Sequence, residues 1–189
     1  MAYGLDSDQF LLKEGTLQVG TFAAYDANDP ASQFSGDTIA YIKQGTININ
    51  IPREYAEFLN NTPGGIVRKD LIRKQMTLDF ESGQWNSDLF QLLIGTSNST
   101  SGNNSTDWFG PDETTQSTHG FLLTTELTNG NTVYIGILSG KITTEDFAIT
   151  LSGTEHATMK GMVESFESSL SGLPTDRTRN YGFWQEVSS

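Results

Sequence analysis

Between residues 72 and 81 apolar and polar positions alternate. Ile72, Met76, Leu78 and Phe80 fall on one side, Arg73, Gln75, Thr77, Asp79 and Glu81 on the other. A period of two is that of an extended chain with one buried and one solvated face. Lys74 interrupts the apolar row, which predicts a bend, a strand end or a snorkelling stem there. Ser82-Gly83 stop the strand, and Asn86 or Ser87 can cap a short helix carrying Leu89, Phe90, Leu92 and Leu93 before Gly95 closes it. About two turns cannot hold a helix alone, so this one is expected to lay its apolar face on a sheet.

The same grammar recurs along the chain. In 38–52, Ile47, Ile49 and Ile51 alternate with Thr46, Asn48 and Asn50, and Gly45 marks a possible bulge. The stretch 53–60 (REYAEFLN) has the spacing of a helical turn, and Pro63-Gly64-Gly65 turns the chain back. Phe121, Leu123, Thr125 and Leu127 alternate through 120–128, Asn129-Gly130-Asn131 supplies a tight hairpin turn, and Val133, Ile135 and Ile137 continue in 132–140. Two further β runs follow at 142–152 (Phe147, Ile149, Leu151) and 156–168 (Met159, Val163). This predicts one mainly β domain over 1–189: an antiparallel sandwich or barrel with one short flanking helix.

Three stretches stand apart. Residues 1–37 read as an N-terminal arm and irregular connection around a short strand at 16–24. Residues 96–118 are rich in Ser, Thr, Asn and Gly and read as a long mobile loop, with Trp108 and Phe109 as its apolar exceptions. Residues 169–189 lose the alternation yet carry Tyr181, Phe183 and Trp184, so this C-terminal arm either folds back on its own domain or docks on a neighbour.

Composition narrows the classes. Hydrophobic residues make up 35% and charged residues 18%, which leaves a large share of small polar turn formers and disfavours a helical bundle. With no cysteine there is no disulfide, thiolate metal site or cysteine nucleophile. No basic leader or membrane-spanning run stands out, so a soluble protein made in the cytoplasm is expected. A net charge of −12 argues against gripping nucleic acid through phosphate contacts. Yet Arg53, Arg68, Lys69, Arg73 and Lys74, five of the 11 cations, lie close together, as a repeated head-to-tail contact or a solvated basic edge would have them.

Catalytic parts are not in view. His119 and His156, the two histidines, stand in no metal-ligand spacing and beside no nucleophile, and no nucleophile elbow, phosphate loop or zincin motif occurs. Asp79 and Glu81 share a strand face without an opposed carboxylate, as a glycosidase pair would need. Asp107, Asp112 and Glu113 lack the calcium-loop spacing. Asn98, Asn103 and Asn104 fit the glycosylation pattern but report only loop composition. The expectation is a non-enzyme with no catalytic residue, metal or cofactor.

A long amphipathic strand, a Trp-containing turn at Trp85, a short leucine-rich helix ending in Gly95 and two hairpins of few charges, spanning about 38–168, together resemble the major tail tube proteins of bacteriophages. The resemblance implies a structural virion subunit, made in the bacterial cytoplasm and placed in the virion tail. It forms stacked hexameric rings whose long strands complete a β-barrel shared between subunits. The lumen would be negatively charged and conduct DNA during ejection without binding it tightly. Thr46, Asn48, Asn50, Gln75, Thr77, Asp79 and Glu81 are the lumen candidates. Arg53, Tyr55, Arg68, Lys69, Arg73, Lys74, Tyr181, Phe183 and Trp184 are the candidates for contacts between subunits. Further copies, tail tip and terminator proteins and a tape measure protein in the lumen are the implied partners, with no membrane. A flexible, siphovirus-like tail is the expectation, although no residue marks a sheath attachment and the tube of a bacterial injection system shares the same pattern. A reading from another class is a β-sandwich carbohydrate-binding or virion decoration module, with Trp85, Trp108, Tyr134 and Trp184 as a stacking platform.

Overall fold

A computed structural model describes residues 12–44, 46–51, 53–59, 66–74, 76–83, 86–94, 117–143, 159–174 and 181–188. The protein is mainly β, with one short helix and a closed six-stranded antiparallel barrel to which further strands are added. The barrel strands are β1 (Leu12–Phe22), β2 (Phe34–Ile42), β6 (Thr77–Ser82), β9 (Met159–Ser165), β8 (Thr132–Thr143) and β7 (His119–Leu127), each paired with the next and β7 with β1. β3 (Asn48–Asn50) adds to β6, and β10 (Gly182–Val187) adds to β8. A separate two-stranded sheet joins β4 (Arg53–Leu59) to β5 (Ile66–Lys74).

Alternation fills the barrel. Leu17, Leu78, Phe121, Leu123, Val133, Ile135, Ile137, Ile142 and Val163 point inward and are fully or almost fully buried. Removing one such side chain from water is worth about 1.5–3 kcal/mol. Helix α1 (Ser87–Ile94) adds Leu89 and Leu93 to the same core. Its N-terminus is capped as expected: the Asn86 Oδ1 accepts the backbone N–H groups of Asp88 and Leu89 at 2.7 and 3.3 Å.

A second, smaller cluster lies on the outer side. Phe22, Leu122 and Leu138 are buried there against Tyr25, Phe34, Tyr134, Leu170, Leu173 and Phe183. These residues alternate with the inward row on β7 and β8, so both faces of that sheet are partly covered. The cover is the excursion between β9 and β10. β9 leaves the edge of β8 where Phe166 donates to the Ser139 carbonyl, and β10 takes over at the next residue, where Leu138 donates to Tyr181. The chain between them reaches back to β1's end, where Tyr25 donates to the Ser171 carbonyl at 2.8 Å.

Several expectations are corrected. From Leu12 onward the expected N-terminal arm is a barrel strand of 11 residues with neighbours on both sides, because Leu17 and Val19 supply inward positions. The single strand expected over 38–52 is two strands, β2 and β3, with irregular backbone between them. The helical turn expected at 53–60 is instead strand β4 over Arg53–Leu59: seven residues are too few for a lone helix, and pairing with β5 satisfies the backbone. β8 runs on through Gly140, where it changes partner from β7 to β9. The 169–189 arm contains β10 and folds back on its own sheet. The strand end expected at Lys74 is where β5 stops. Gly45, Gln75, Trp85, Gly95, the turn at 63–65, the 98–106 and 107–113 motifs with Trp108 and Phe109, the run 144–152 and His156 lie outside the described residues.

Candidate functional site: the polar outer face of β3, β6, β9 and β8

The two halves of the 72–81 pattern belong to one long hairpin. β3 pairs with β6 as Asn48↔Asp79, Ile49↔Leu78 and Asn50↔Thr77, and β4 pairs with β5 as Arg53↔Lys74 and Glu54↔Arg73. The register is the same on both sides of the interruption at 51–52 and 75–76. Met76 instead turns to β9, donating to the Ser165 hydroxyl at 2.7 Å and accepting the Ser165 N–H at 2.9 Å.

Beyond β6 the sheet continues through β9 to the last residues of β8. Following the register across its outer face gives rows of side chains. Asn48, Asp79, Met162 and Thr143 form one row, and Asn50, Thr77, Glu164 and Lys141 the next. Glu81 stands opposite Lys160 in a third. The inward neighbours in these strands, Ile49, Leu78, Val163 and Ile142, belong to the core, which fixes the outward direction of the rows. Five of the seven lumen candidates are thus brought to one face; Thr46 lies just before β3, and Gln75 is outside the described residues.

Electrostatics on this face are locally balanced. Asn48 donates to Asp79 Oδ2 at 3.3 Å, and Lys43 Nζ lies 3.7 Å from Glu81 Oε1. Lys160 faces Glu81 and Lys141 faces Glu164 across neighbouring strands. Three carboxylates therefore stand among three lysines, Lys43, Lys141 and Lys160, and the face is mixed in sign rather than acidic. The Thr46 hydroxyl donates to the Lys43 carbonyl at 2.8 Å and accepts the Glu81 N–H at 3.3 Å, so it is spent on holding the chain between β2 and β3.

Arg53, Tyr55, Arg68, Lys69, Arg73 and Lys74 all fall in the β4–β5 hairpin, whose register sets Glu54 opposite Arg73 and Glu57 opposite Lys69. The hairpin residues 53–74 hold five cations and three acids, a net of +2 within a chain of −12, which leaves −14 for the remainder. The three aromatic candidates of the C-terminal arm separate. Tyr181 uses its carbonyl to continue the β8 ladder. Phe183 packs edge-on against Phe22 with ring centroids 5.6 Å apart, and only Trp184 is left prominent, at 54% exposure.

Sequence reasoning missed Lys141, Thr143, Lys160, Met162 and Glu164 as members of the polar face. Their alternation was visible, but which strands stand beside β6 depends on pairings nearly ninety residues apart along the chain. Trp184 pairs with Ile135 and Tyr134 with Gln185, so the two aromatics project from opposite faces and form no common platform. His119 rests edge-on against Phe121, and among the described residues no group of three potential metal ligands occurs. Nor, among them, is any helix long and apolar enough to cross a membrane. Comparison of the chain with models of known protein families and with curated proteins gives no match.

Proposed function

We propose that this protein is the repeating subunit of a phage-type tail tube, in which copies form stacked rings and the polar face of β3, β6, β9 and β8 lines the bore. The observation that carries this reading is that face. It is a sheet surface of Asn, Thr, Met162 and charges of both signs, backed by a filled apolar core, and among the described residues its lysines stand among carboxylates rather than in a cluster that would retain a phosphate backbone. A bore of this kind conducts DNA because it binds it weakly. On this reading the carboxylates Asp79, Glu81 and Glu164 repel the phosphates of passing DNA, and the neighbouring lysines keep that repulsion moderate. The hairpin β4–β5, with its excess of cations in an acidic chain, then serves contacts between rings, where two different faces of each copy meet and growth along the axis does not close.

The experiment is negative-stain microscopy of the purified full-length protein over a range of concentrations, alongside gel filtration. Annular or tubular particles with a central channel are the expected result. A monomer at every concentration, together with absence of the chain from tubes of particles carrying it, overturns the proposal.

A further inference from the structure

The geometry points to the two strand edges through which neighbouring copies join: the free edge of β3 in one copy pairs antiparallel with the Lys141–Thr143 edge of β8 in the next. This rests on the tube reading and adds to it the contact that would close each ring.

The argument is one of strand parity. The barrel unrolls into two sheets that share β8. One is β2-β1-β7-β8-β10, five strands, each antiparallel to its neighbour, so its two edge strands run in the same direction. The other is β3-β6-β9-β8, four strands, so its two edge strands run in opposite directions. Copies related by rotation about a ring axis keep nearly the same orientation where they touch. Joined through the five-strand sheet they would have to pair β10 with β2 in parallel; joined through the four-strand sheet they continue an unbroken antiparallel order. Antiparallel pairing is the more favourable per residue, and only unlike edges generate a ring.

Both edges of the four-strand sheet are open among the described residues. β3 pairs with β6 alone, and at Lys141–Thr143 β8 has β9 on one side and, beyond the β7 pairing that ends at Gly140, no described strand on the other. An open strand edge calls for cover. The side chains brought together would be Asn48 and Asn50 on one copy and Thr143 and Lys141 on the next, amides against a hydroxyl and an ammonium, with no like charges opposed. On the other side of the sheet, Ile51 follows Ile47 and Ile49 in the apolar row yet is 49% exposed at the end of β3, and a neighbouring strand would cover it.

Because the chain contains no cysteine, the contact can be read by cross-linking. Within one copy Asn50 and Lys141 stand in one row, three strand spacings apart, about 14 Å, which is beyond the reach of a disulfide, about 7 Å between Cα atoms. The full chain carrying N50C and K141C, which stand in one row, assembled and treated with an oxidant or a short bis-maleimide, is expected to give a ladder of covalent multimers on a denaturing gel. N50C alone is expected to stay monomeric; dimers from it would mean that like edges pair, and would overturn the inference. The control pair T38C and F183C, in one row on the two edges of the five-strand sheet, is expected to give no ladder. Rings seen by microscopy with a ladder only from that control pair overturn the inference and leave the tube reading standing, whereas absence of any ring for the parent chain removes both. As a check independent of cysteine chemistry, Ile51→Asp should lower ring yield at least tenfold at an unchanged melting temperature; normal rings from this variant would also overturn the inference.

Discussion

The side-chain amide of Asn48 donates to the Asp79 carboxylate across the β3–β6 pair, at 3.3 Å, on the outer face of the sheet. The bond ties the free edge strand to its neighbour and removes one exposed acceptor from the face. With the Lys43–Glu81 pair it shows how carboxylates are held there: each has a nearby donor, and none is buried.

Reversing the charge of Asp79 and Glu81 together is therefore expected to separate folding from transport. Both residues are partly exposed, and the Lys43–Glu81 contact joins side chains 46% and 24% exposed, so losing these contacts should cost no more than about 1 kcal/mol. The face, however, would change from three carboxylates and three lysines to one carboxylate and five cations, repeated in every copy of a ring. In particles, Asp79→Lys with Glu81→Lys should slow DNA ejection in a manner relieved by added salt, with an unchanged melting temperature of the subunit. Normal ejection at all salt concentrations would show that this face does not line the bore.

Much of this architecture was legible in the alternation itself. Leu78 and Phe80 against Thr77, Asp79 and Glu81 gave the strand, its inner face and its polar face without knowledge of any partner. Asn86 announced the helix start, and Asn129-Gly130-Asn131 the turn, where Gly130 takes φ 90 and its N–H reaches the Leu127 carbonyl at 3.0 Å. What could not be read was long-range pairing. Tyr55, Phe58 and Leu59 fit one side of a helix as well as they fit a strand, and only the partner β5 decides between the two. Likewise Phe183 and Trp184 stand side by side in a polar stretch. That one packs on Phe22 and the other stands exposed on the opposite side of the sheet depends on β10 meeting β8, some fifty residues earlier in the chain.

The cap on α1 offers a local test of stability. Asn86→Ala removes the acceptor for two otherwise unpaired N–H groups, and such losses cost typically about 1 kcal/mol. Urea unfolding of the subunit should show a lower midpoint at an unchanged slope. Asn86→Asp, which keeps the acceptor, should restore most of it. An unchanged midpoint for the alanine variant would mean that solvent satisfies those groups equally well.

The C-terminal strand is predicted to matter to the subunit before it matters to any assembly. Phe183 contacts Phe22 and Tyr25, Gln185 donates to Asp29 at 3.0 Å and accepts from Ala31, and Glu186 accepts from Asn131 at 2.7 Å. Phe183→Ala should cost about 2 kcal/mol, below the range for a fully enclosed ring because this one is half-buried. Ending the chain after residue 180 should cost more, since it also exposes the β8 edge and the Phe22–Leu138 cluster. Trp184→Ser, by contrast, should leave thermal unfolding within about 0.5 kcal/mol of the parent, as for other exposed positions. Equal losses for Phe183→Ala and Trp184→Ser would contradict the opposite orientation of the two rings.

The last prediction concerns how the excursion between β9 and β10 is fastened. Gly172 has φ +83, and a Cβ placed there would lie 2.2 Å from the Tyr25 carbonyl oxygen, a contact no side chain can make without moving backbone. The adjacent Ser171 carbonyl accepts the Tyr25 N–H, so Tyr25 takes part in both the fastening and the tight approach. Gly172→Ala adds left-handed backbone strain to the clash and should cost about 2 kcal/mol in thermal unfolding of the subunit. Because Leu170 and Leu173 flank the site and cover Phe22 and Leu138, amide exchange should rise first in β10 and at the end of β1, while β6 and β9 remain protected. Uniform acceleration across the barrel would instead show that the excursion and the barrel unfold as one unit.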